Sequence, residues 1–293
     1  MDRRSFLGTV TAVTLLSRKL GWTAEDRRIE KIGVQLYTVR SEMKQNFRGT
    51  LGKVADIGYK EVEFAGYFDH SPQEIRKILD NVGLTAPSAH IPYENLGDKW
   101  PGVLEAAKVI GHNYVVVPSI PESMRKQADS WRQAAEKFNR AGEATKKAGM
   151  QFAYHNHYFE FASIDGKLPY DILLAETDPN LVKMEMDLCW ITVGGQDPLT
   201  YFSRYPGRFP LVHVKDIKKV PEQGATRSAA ASLLDRNQTD VGSGSIDWKR
   251  IFAQSDKAGI RHYFVEQDQP KSPFDSIKNS YAYLRNLRFS AGA

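Results

Sequence analysis

A closed (β/α)8 barrel is the α/β fold class that this chain predicts, and three observations predict it. From Lys31 onward, short apolar runs alternate with amphipathic segments about eight times over about 260 residues, the rhythm of repeated βα units and a parallel sheet. The stretch after the first apolar run, Gln35-Leu36-Tyr37-Thr38, contains no glycine-rich phosphate loop, so an open dinucleotide-binding sheet loses its support. Polar residues gather at the C-terminal ends of the strand candidates while ordinary residues occupy the beginnings, which is the asymmetry of a barrel with one functional mouth. These place a single-domain TIM barrel over residues 31–290.

The strand candidates are Ile32–Tyr37, Glu61–Ala65, Leu84–His90, Tyr114–Pro118, Gln151–His155, Val182–Leu188, Leu211–Lys215 and His262–Glu266. Between them, Phe47–Ile57 carries apolar residues at helical spacing, with Gly58 as its C-cap. Pro72–Val82 follows an N-cap serine, Ser71, has proline in its first turn and ends at Gly83. Pro101–Ile110, a longer Trp131–Ala148 closed by Gly149, Pro169–Glu176, Pro198–Tyr205, Ile246–Ala258 and Ser276–Leu287 complete the helices. The one irregular insertion, Lys218 to Ser245, is rich in Ala, Ser, Gly and Gln and reads as a lid or flap.

Composition narrows the function classes. With 41% hydrophobic and 26% charged residues, 293 residues can bury a sizeable core. Four basic residues, Arg3, Arg4, Arg18 and Lys19, less Asp2, account for three of the formal five positive charges. The remainder contains no basic run or Arg-rich helix, so a nucleic-acid partner has little electrostatic support. The single cysteine, Cys189, excludes an internal disulfide and a cysteine-cluster zinc site, and its apolar surroundings make it a packed thiol.

Residues 1–24 read as an export signal rather than as part of the fold. Arg3-Arg4-Ser5-Phe6-Leu7 leads an apolar stretch to Leu16, followed by Ser17-Arg18-Lys19, which resembles a twin-arginine signal. The apolar run is too short to span a bilayer comfortably. The expectation is an exported, periplasmic protein, tethered to the membrane if the signal stays uncleaved, with no other membrane contact.

The chemistry concentrates around Tyr154-His155-Asn156-His157-Tyr158-Phe159-Glu160, where two histidines, an amide and a carboxylate follow an apolar strand. Met186-Asp187, Val212-His213 and Val265-Glu266 close three later strands in the same way. Two glutamates, an aspartate and a histidine make a four-ligand site for one divalent cation, and such a shell suits Mn²⁺, Mg²⁺, Co²⁺ or Zn²⁺, with Mn²⁺ placed first. A cation there could hold two neighbouring sugar oxygens and stabilise an enediolate after proton removal. Glu63, His90, Glu185, Lys215, Asp216 and Asp268 also fall at or near strand ends, and Glu185 shares a strand face with Asp187. His90 and His157 divide evenly between substrate contact and structural hydrogen bonding. Tyr37 and Tyr67 are weaker candidates, and His70, His112 and His262 read as structural. Trp190 either packs in the core or stacks on a sugar face.

Gly33-Val34-Gln35-Leu36-Tyr37, Glu61-Val62-Glu63, His155-Asn156-His157-Tyr158-Phe159-Glu160, Met186-Asp187, His213-Val214-Lys215-Asp216 and Val265-Glu266-Gln267 together resemble the xylose-isomerase-like sugar isomerase and epimerase group. The resemblance spans Lys31 to about Leu287 and implies that Glu160, Asp187, His213 and Glu266 are the metal ligands. It also implies that Glu160 and Glu266 act as the acid/base pair; His90, His157, Trp190, Lys215 and Tyr37 are, on their own positions, the candidates for substrate contact. Two positions depart from the group's ketose 3-epimerases: Trp190 stands where they commonly carry a histidine, and Lys215 and Lys218 stand near where they carry an arginine. Lys215 is therefore a candidate oxyanion stabiliser.

The expected activity is metal-dependent isomerisation or epimerisation of a free sugar or keto-sugar by proton abstraction beside a carbonyl. The runner-up is β-elimination from a 3-keto-glycoside at the same metal. A non-catalytic sugar-binding barrel and an apurinic-site endonuclease are the remaining alternatives. A homo-oligomer is compatible with all of them.

Overall fold

The computed structural model describes residues 26–220 and 237–290, so the proposed signal and the middle of the Lys218–Ser245 insertion lie outside it. Eight parallel strands close into a barrel. They are β1 (Gly33–Gln35), β2 (Glu61–Ala65), β3 (Thr85–His90), β4 (Tyr114–Val117), β5 (Gln151–His155), β6 (Val182–Asp187), β7 (Leu211–Val214) and β8 (His262–Val265). Each pairs with its sequence neighbours, and β8 closes the ring on β1 through Phe264 opposite Gly33 and Val265 opposite Val34. A helix follows each strand: α1 (Phe47–Ile57), α2 (Pro72–Val82), α3 (Trp100–Ile110), α4 (Ala128–Lys147), α5 (Pro169–Glu176), α6 (Pro198–Arg204), α7 (Trp248–Phe252) and α8 (Pro273–Asn286). This is a single-domain (β/α)8 barrel.

Local chemistry explains the elements. The β4 run Tyr-Val-Val-Val is buried on both faces, as a parallel strand wrapped by helices must be. At α2, the Ser71 side chain accepts from Glu74 N–H while Glu74 reaches back to Ser71 N–H, and Gly83 leaves the helix at φ +70°. Inside the barrel, Tyr114, Val116, Ala153, Leu211 and Phe264 form an apolar plug separate from the outer core. The Phe264 ring crosses over Gly33, where a Cβ would lie 2.5 Å from Phe264 Cδ1. Glycine is needed there because of that close approach.

Several boundaries differ from expectation. β1 stops at Gln35, because the Gln35 side chain accepts from Tyr37 N–H and starts a 3₁₀ turn over Leu36–Val39. β6 stops at Asp187, whose carboxylate caps a short helix over Leu188–Val193 that the apolar run concealed. The expected Ile246–Ala258 helix breaks into α7 and a turn of helix at Ser255–Ala258. Ser255 Oγ donates to Phe252 O at 2.7 Å, competing for the carbonyl that a continuing helix would use. Two small antiparallel pairs lie outside the barrel: Asp26–Arg27 with Phe289–Ser290, and Asp216–Ile217 with Gln238–Thr239. Among the described residues, no helix is long and apolar enough to cross a membrane.

Candidate metal centre and its surroundings

Two groups of donors meet on opposite edges of one imidazole, His213, which is fully buried near the end of β7. His213 Nδ1 lies 2.8 Å from Glu266 Oε2 and 3.9 Å from Asp187 Oδ2. Its Nε2 lies 2.7 Å from Glu63 Oε2 and 3.3 Å from Glu185 Oε2. The strand register builds this arrangement, since Asp187 is paired with His213 across β6 and β7 and Phe264 flanks it from β8.

The outer group consists of Asp187, His213 and Glu266, which together could hold a metal ion. Asp187 Oδ1 is committed to the N–H groups of Cys189 and Trp190, at 2.9 and 2.8 Å, which fixes the carboxylate at the helix N-terminus. Its buried Oδ2 has no hydrogen-bond donor and is left for an ionic partner. Lys215 Nζ, from a side chain only 1% exposed, lies 3.2 Å from that oxygen, 2.8 Å from Glu266 Oε2 and 3.0 Å from Asp268 Oδ1. With His213 neutral, as metal ligation requires, three carboxylates against one ammonium leave a formal charge of minus two, which a divalent cation balances. The donor set, with an Asp187 oxygen that no hydrogen bond engages and that pairs with Lys215, therefore fits a divalent metal.

The inner group is deeper. Glu185 Oε2 lies 2.6 Å from His90 Nε2 and 3.2 Å from His155 Nδ1. Gln35 Nε2 and Ser88 Oγ each donate to a different oxygen of Glu63, at 2.7 and 2.6 Å. Gln35 and Ser88 were not singled out from the sequence. The signal was available, because Gln35 and Glu63 pair directly across β1 and β2, and Glu63 and Ser88 across β2 and β3.

Of the residues expected to bind metal, the structure brings Asp187, His213 and Glu266 together and leaves Glu160 out of both donor groups. The strand ends at His155, and Glu160 follows five residues later in a 3₁₀ turn. One of its oxygens accepts from Tyr154 O–H at 2.6 Å and the other from His157 N–H at 2.9 Å. His155, at the strand end itself, is the β5 side chain that enters the inner group. Around the mouth, the His157 ring stands 5.6 Å from Trp190 and 5.3 Å from Phe159, and Lys215 Nζ lies 4.8 Å above the Trp190 ring. Trp190 is packed in this wall with its indole N–H unpartnered. Tyr37 is 41% exposed in the 3₁₀ turn after β1, with the Arg40 guanidinium 4.0 Å over its ring. Arg40 also donates to Asp268 O at 2.8 Å, tying this rim to the outer group. His90 joins the inner group, whereas His112 is structural, its Nδ1–H donating to Ala86 O and its Nε2 accepting from Tyr67 O–H.

Electrostatics separate the groups. Burial would lower the His213 pKa, but Glu185 and Glu266 overcome it and hold the imidazole well above its ordinary value. Lys215 is likewise held high against burial by Asp187, Asp268 and Glu266. Against burial, Lys215 and His213 hold Glu266 well below the usual carboxylate range, which keeps it an ionised base. Burial pushes Asp187 up to about 6 and Glu160 up to about 7. Burial and then His213 press His155 down to about 3, so it is a neutral imidazole. Burial also raises the Cys189 thiol, in keeping with an inert packed residue.

Comparison with known proteins agrees with the fold. The chain is 25% identical over 292 residues to an inosose dehydratase of Lacticaseibacillus casei, covering 90% of this chain and 94% of that protein. It superimposes on the crystal structure of a sugar phosphate isomerase/epimerase of Parabacteroides distasonis with a TM-score of 0.72 and 28% identity, covering 87% and 93% of the two chains. The IolI protein, crystallised with a bound zinc atom, shares the fold at a TM-score of 0.66 and 14% identity, covering 86% and 95%. The profile of one family spans residues 51–287, from within α1 through the barrel closure to the end of α8, and on that match the chain belongs to the xylose isomerase-like TIM barrel family.

Proposed function

We propose that this protein is a metal-dependent enzyme that removes a proton from the carbon beside a carbonyl of a sugar, keto-sugar or keto-glycoside, and that the enolised substrate then expels a β-oxygen group. The observation that carries this reading is the composition of the outer group. Glu266 is a single ionised carboxylate at the mouth, with Lys215, His213 and Asp187 around it, while Glu160 has both oxygens engaged elsewhere. Epimerisation by two opposed bases needs a second free carboxylate, and the arrangement favours a one-base reaction.

A divalent cation on Asp187, His213 and Glu266 would act as a Lewis acid for adjacent substrate oxygens. The chain's own residues supply the rest. Glu266, at the end of β8, takes the proton. The Lys215 ammonium, fixed between carboxylates and against Trp190, supports the negative charge that develops on oxygen. Trp190 and His157 form an aromatic wall against which an apolar sugar face can lie. The dehydratase relatives favour the elimination branch, since loss of water or of an aglycone follows from the same first step. Single-base isomerisation is the second reading, supported by the relative described as a sugar phosphate isomerase/epimerase. Export through the N-terminal signal would favour unphosphorylated substrates, and Mn²⁺ is the cation we place first.

Proton NMR in D2O tests this. The protein, loaded with diamagnetic Mg²⁺ or Zn²⁺, is offered free ketoses, keto-cyclitols and 3-keto-glycosides. Deuterium entry beside the carbonyl, with an alkene or freed aglycone as product and loss of both in Glu266→Gln, is expected. Exchange that survives Glu266→Gln, or no exchange with any substrate, refutes the assignment.

A further inference from the structure

Apart from the shared His213, the inner donor group takes no part in the chemistry above, yet it has the composition of a binding site. Glu185 Oε2 is the focus of three imidazole nitrogens, His90 Nε2 at 2.6 Å, His155 Nδ1 at 3.2 Å and His213 Nε2 at 3.3 Å. One donor atom from each of these four residues lies within 4.8 Å of all the others. Donors around a zinc-sized ion at about 2.0–2.1 Å are themselves about 3.3 Å apart when tetrahedral, so small rotations complete a shell. Glu63 Oε2, 2.7 Å from His213 Nε2 and 3.3 Å from His90 Nε2, adds a fifth donor.

Two further features single out this group from an ordinary buried hydrogen-bond cluster. Glu185 Oε1 is fully buried without a hydrogen-bond partner, and His155 Nδ1, in a side chain that is also buried, makes no hydrogen bond beyond its 3.2 Å ion-pair contact with Glu185 Oε2. Buried polar atoms are rarely left so. A dication that displaces the imidazole protons, as metal ligation requires, would leave Glu63 and Glu185 as two negative charges that it balances in a low-dielectric layer.

We propose that His90, His155, Glu185, His213 Nε2 and Glu63 form a second metal site for a first-row transition ion, lying back to back with the outer site across the His213 ring. An imidazole-rich shell selects Zn²⁺, Fe²⁺ or a similar ion over Mg²⁺ and Ca²⁺, which favour all-oxygen shells. Filling both sites puts a metal on each nitrogen of His213, and the ring then gives up its last N–H proton to solvent. The Gln35 and Ser88 hydrogen bonds that hold Glu63 are the orienting contacts such a ligand requires. This site stands independently of the proposed reaction.

The test counts metals and imidazoles in the full-length protein after chelation, reloading with Zn²⁺ and desalting. Elemental analysis gives zinc per chain, and X-ray absorption at the zinc edge gives imidazoles per zinc. The outer set offers one imidazole and the inner set three. Wild type should hold two zinc ions with an average of two imidazoles each. Glu185→Gln should keep one zinc with one imidazole, and Asp187→Asn one zinc with three. One zinc with a single imidazole in wild type, or a Glu185→Gln protein with both its zinc ions, overturns the proposal. One zinc with three imidazoles in wild type would support the inner site and count instead against the outer one. If Glu185→Gln does not fold, the wild-type imidazole count decides alone.

Discussion

Lys215→Met asks whether an ammonium and a metal share the same carboxylates. The substitution keeps an unbranched side chain but removes a buried charge held 2.8 Å from Glu266, 3.0 Å from Asp268 and 3.2 Å from Asp187. Removing one partner of a buried ion pair typically costs about 3–5 kcal/mol, because the remaining charge is stranded. A Coulomb estimate agrees, giving about 4 kcal/mol for one pair at about 4 Å and an effective dielectric of about 20. The metal-free variant should therefore unfold about 3–5 kcal/mol more easily than metal-free wild type. A divalent cation on Asp187 and Glu266 replaces the lost charge, so saturating Mn²⁺ should shrink that gap to below about 2 kcal/mol. By linkage, the variant should bind the outer cation at least about fivefold more tightly, since a relief of at least about 1 kcal/mol is expected and about 1.4 kcal/mol corresponds to a factor of ten. The assay is urea unfolding of both proteins, followed by tryptophan fluorescence, in EDTA and in Mn²⁺. A metal in the inner group would stabilise both proteins alike and cancels in the double difference. Equal penalties in EDTA and Mn²⁺ would refute the reasoning, because ammonium and cation would then not compete for these oxygens.

Three other perturbations probe the surrounding structure. Burial lifts the Glu160 carboxyl from its ordinary 4.5 to about 7, so the folded protein holds this proton more tightly than the unfolded chain. That contribution is full below about pH 4.5 and lost as pH rises through about 7; Glu160→Gln cannot ionise and should gain on wild type by on the order of 3 kcal/mol across that window in pH-dependent urea melts, with unchanged metal content. Asp216 accepts from the N–H groups of Ile217, Gly242, Gly244 and Ile246 and from the Trp248 indole. Asp216→Ala strands at least the three buried donors, and at about 1–3 kcal/mol each it should cost about 3 kcal/mol or more in denaturant melts, with altered Trp248 emission. Gly33→Ala drives a Cβ to 2.5 Å from the Phe264 ring and should cost about 1–3 kcal/mol, relieved by the accompanying Phe264→Leu change.

How much of this was legible in the sequence follows from which interactions are local. The eight strands could be placed because each is a short apolar run bounded by a capped helix, and caps such as Ser71 with Glu74 or Gly83 are written within a few residues. Boundaries failed where a polar side chain redirected the backbone. Asp187 capping its own successor turned Leu188–Val193 into a helix, although the residues read as a strand continuing. Asp216 reads as one more strand-end carboxylate, yet it holds the loop after β7 by contacts up to 32 positions away. No local pattern announces such a role.

The site shows the same division more sharply. Asp187, His213 and Glu266 could be placed together because each lies at or beside the last position of its strand, where barrel geometry leaves little choice of direction. Glu160 could not be placed that way, because it lies five residues past the end of β5 and its carboxylate folds back onto Tyr154. Strand register supplies the missing rule. His155 is the residue that pairs with Glu185 across β5 and β6, and Glu185 sits two positions before Asp187 on the same inward face. The position carrying a β5 side chain to the barrel axis is thus His155. An imidazole there, next to a carboxylate one layer down, shifts the donor-rich centre inward from the mouth. Glu266, itself only 6% exposed, remains the outer carboxylate on which the proposed one-base reaction relies, and the proposed inner metal site rests on the same register.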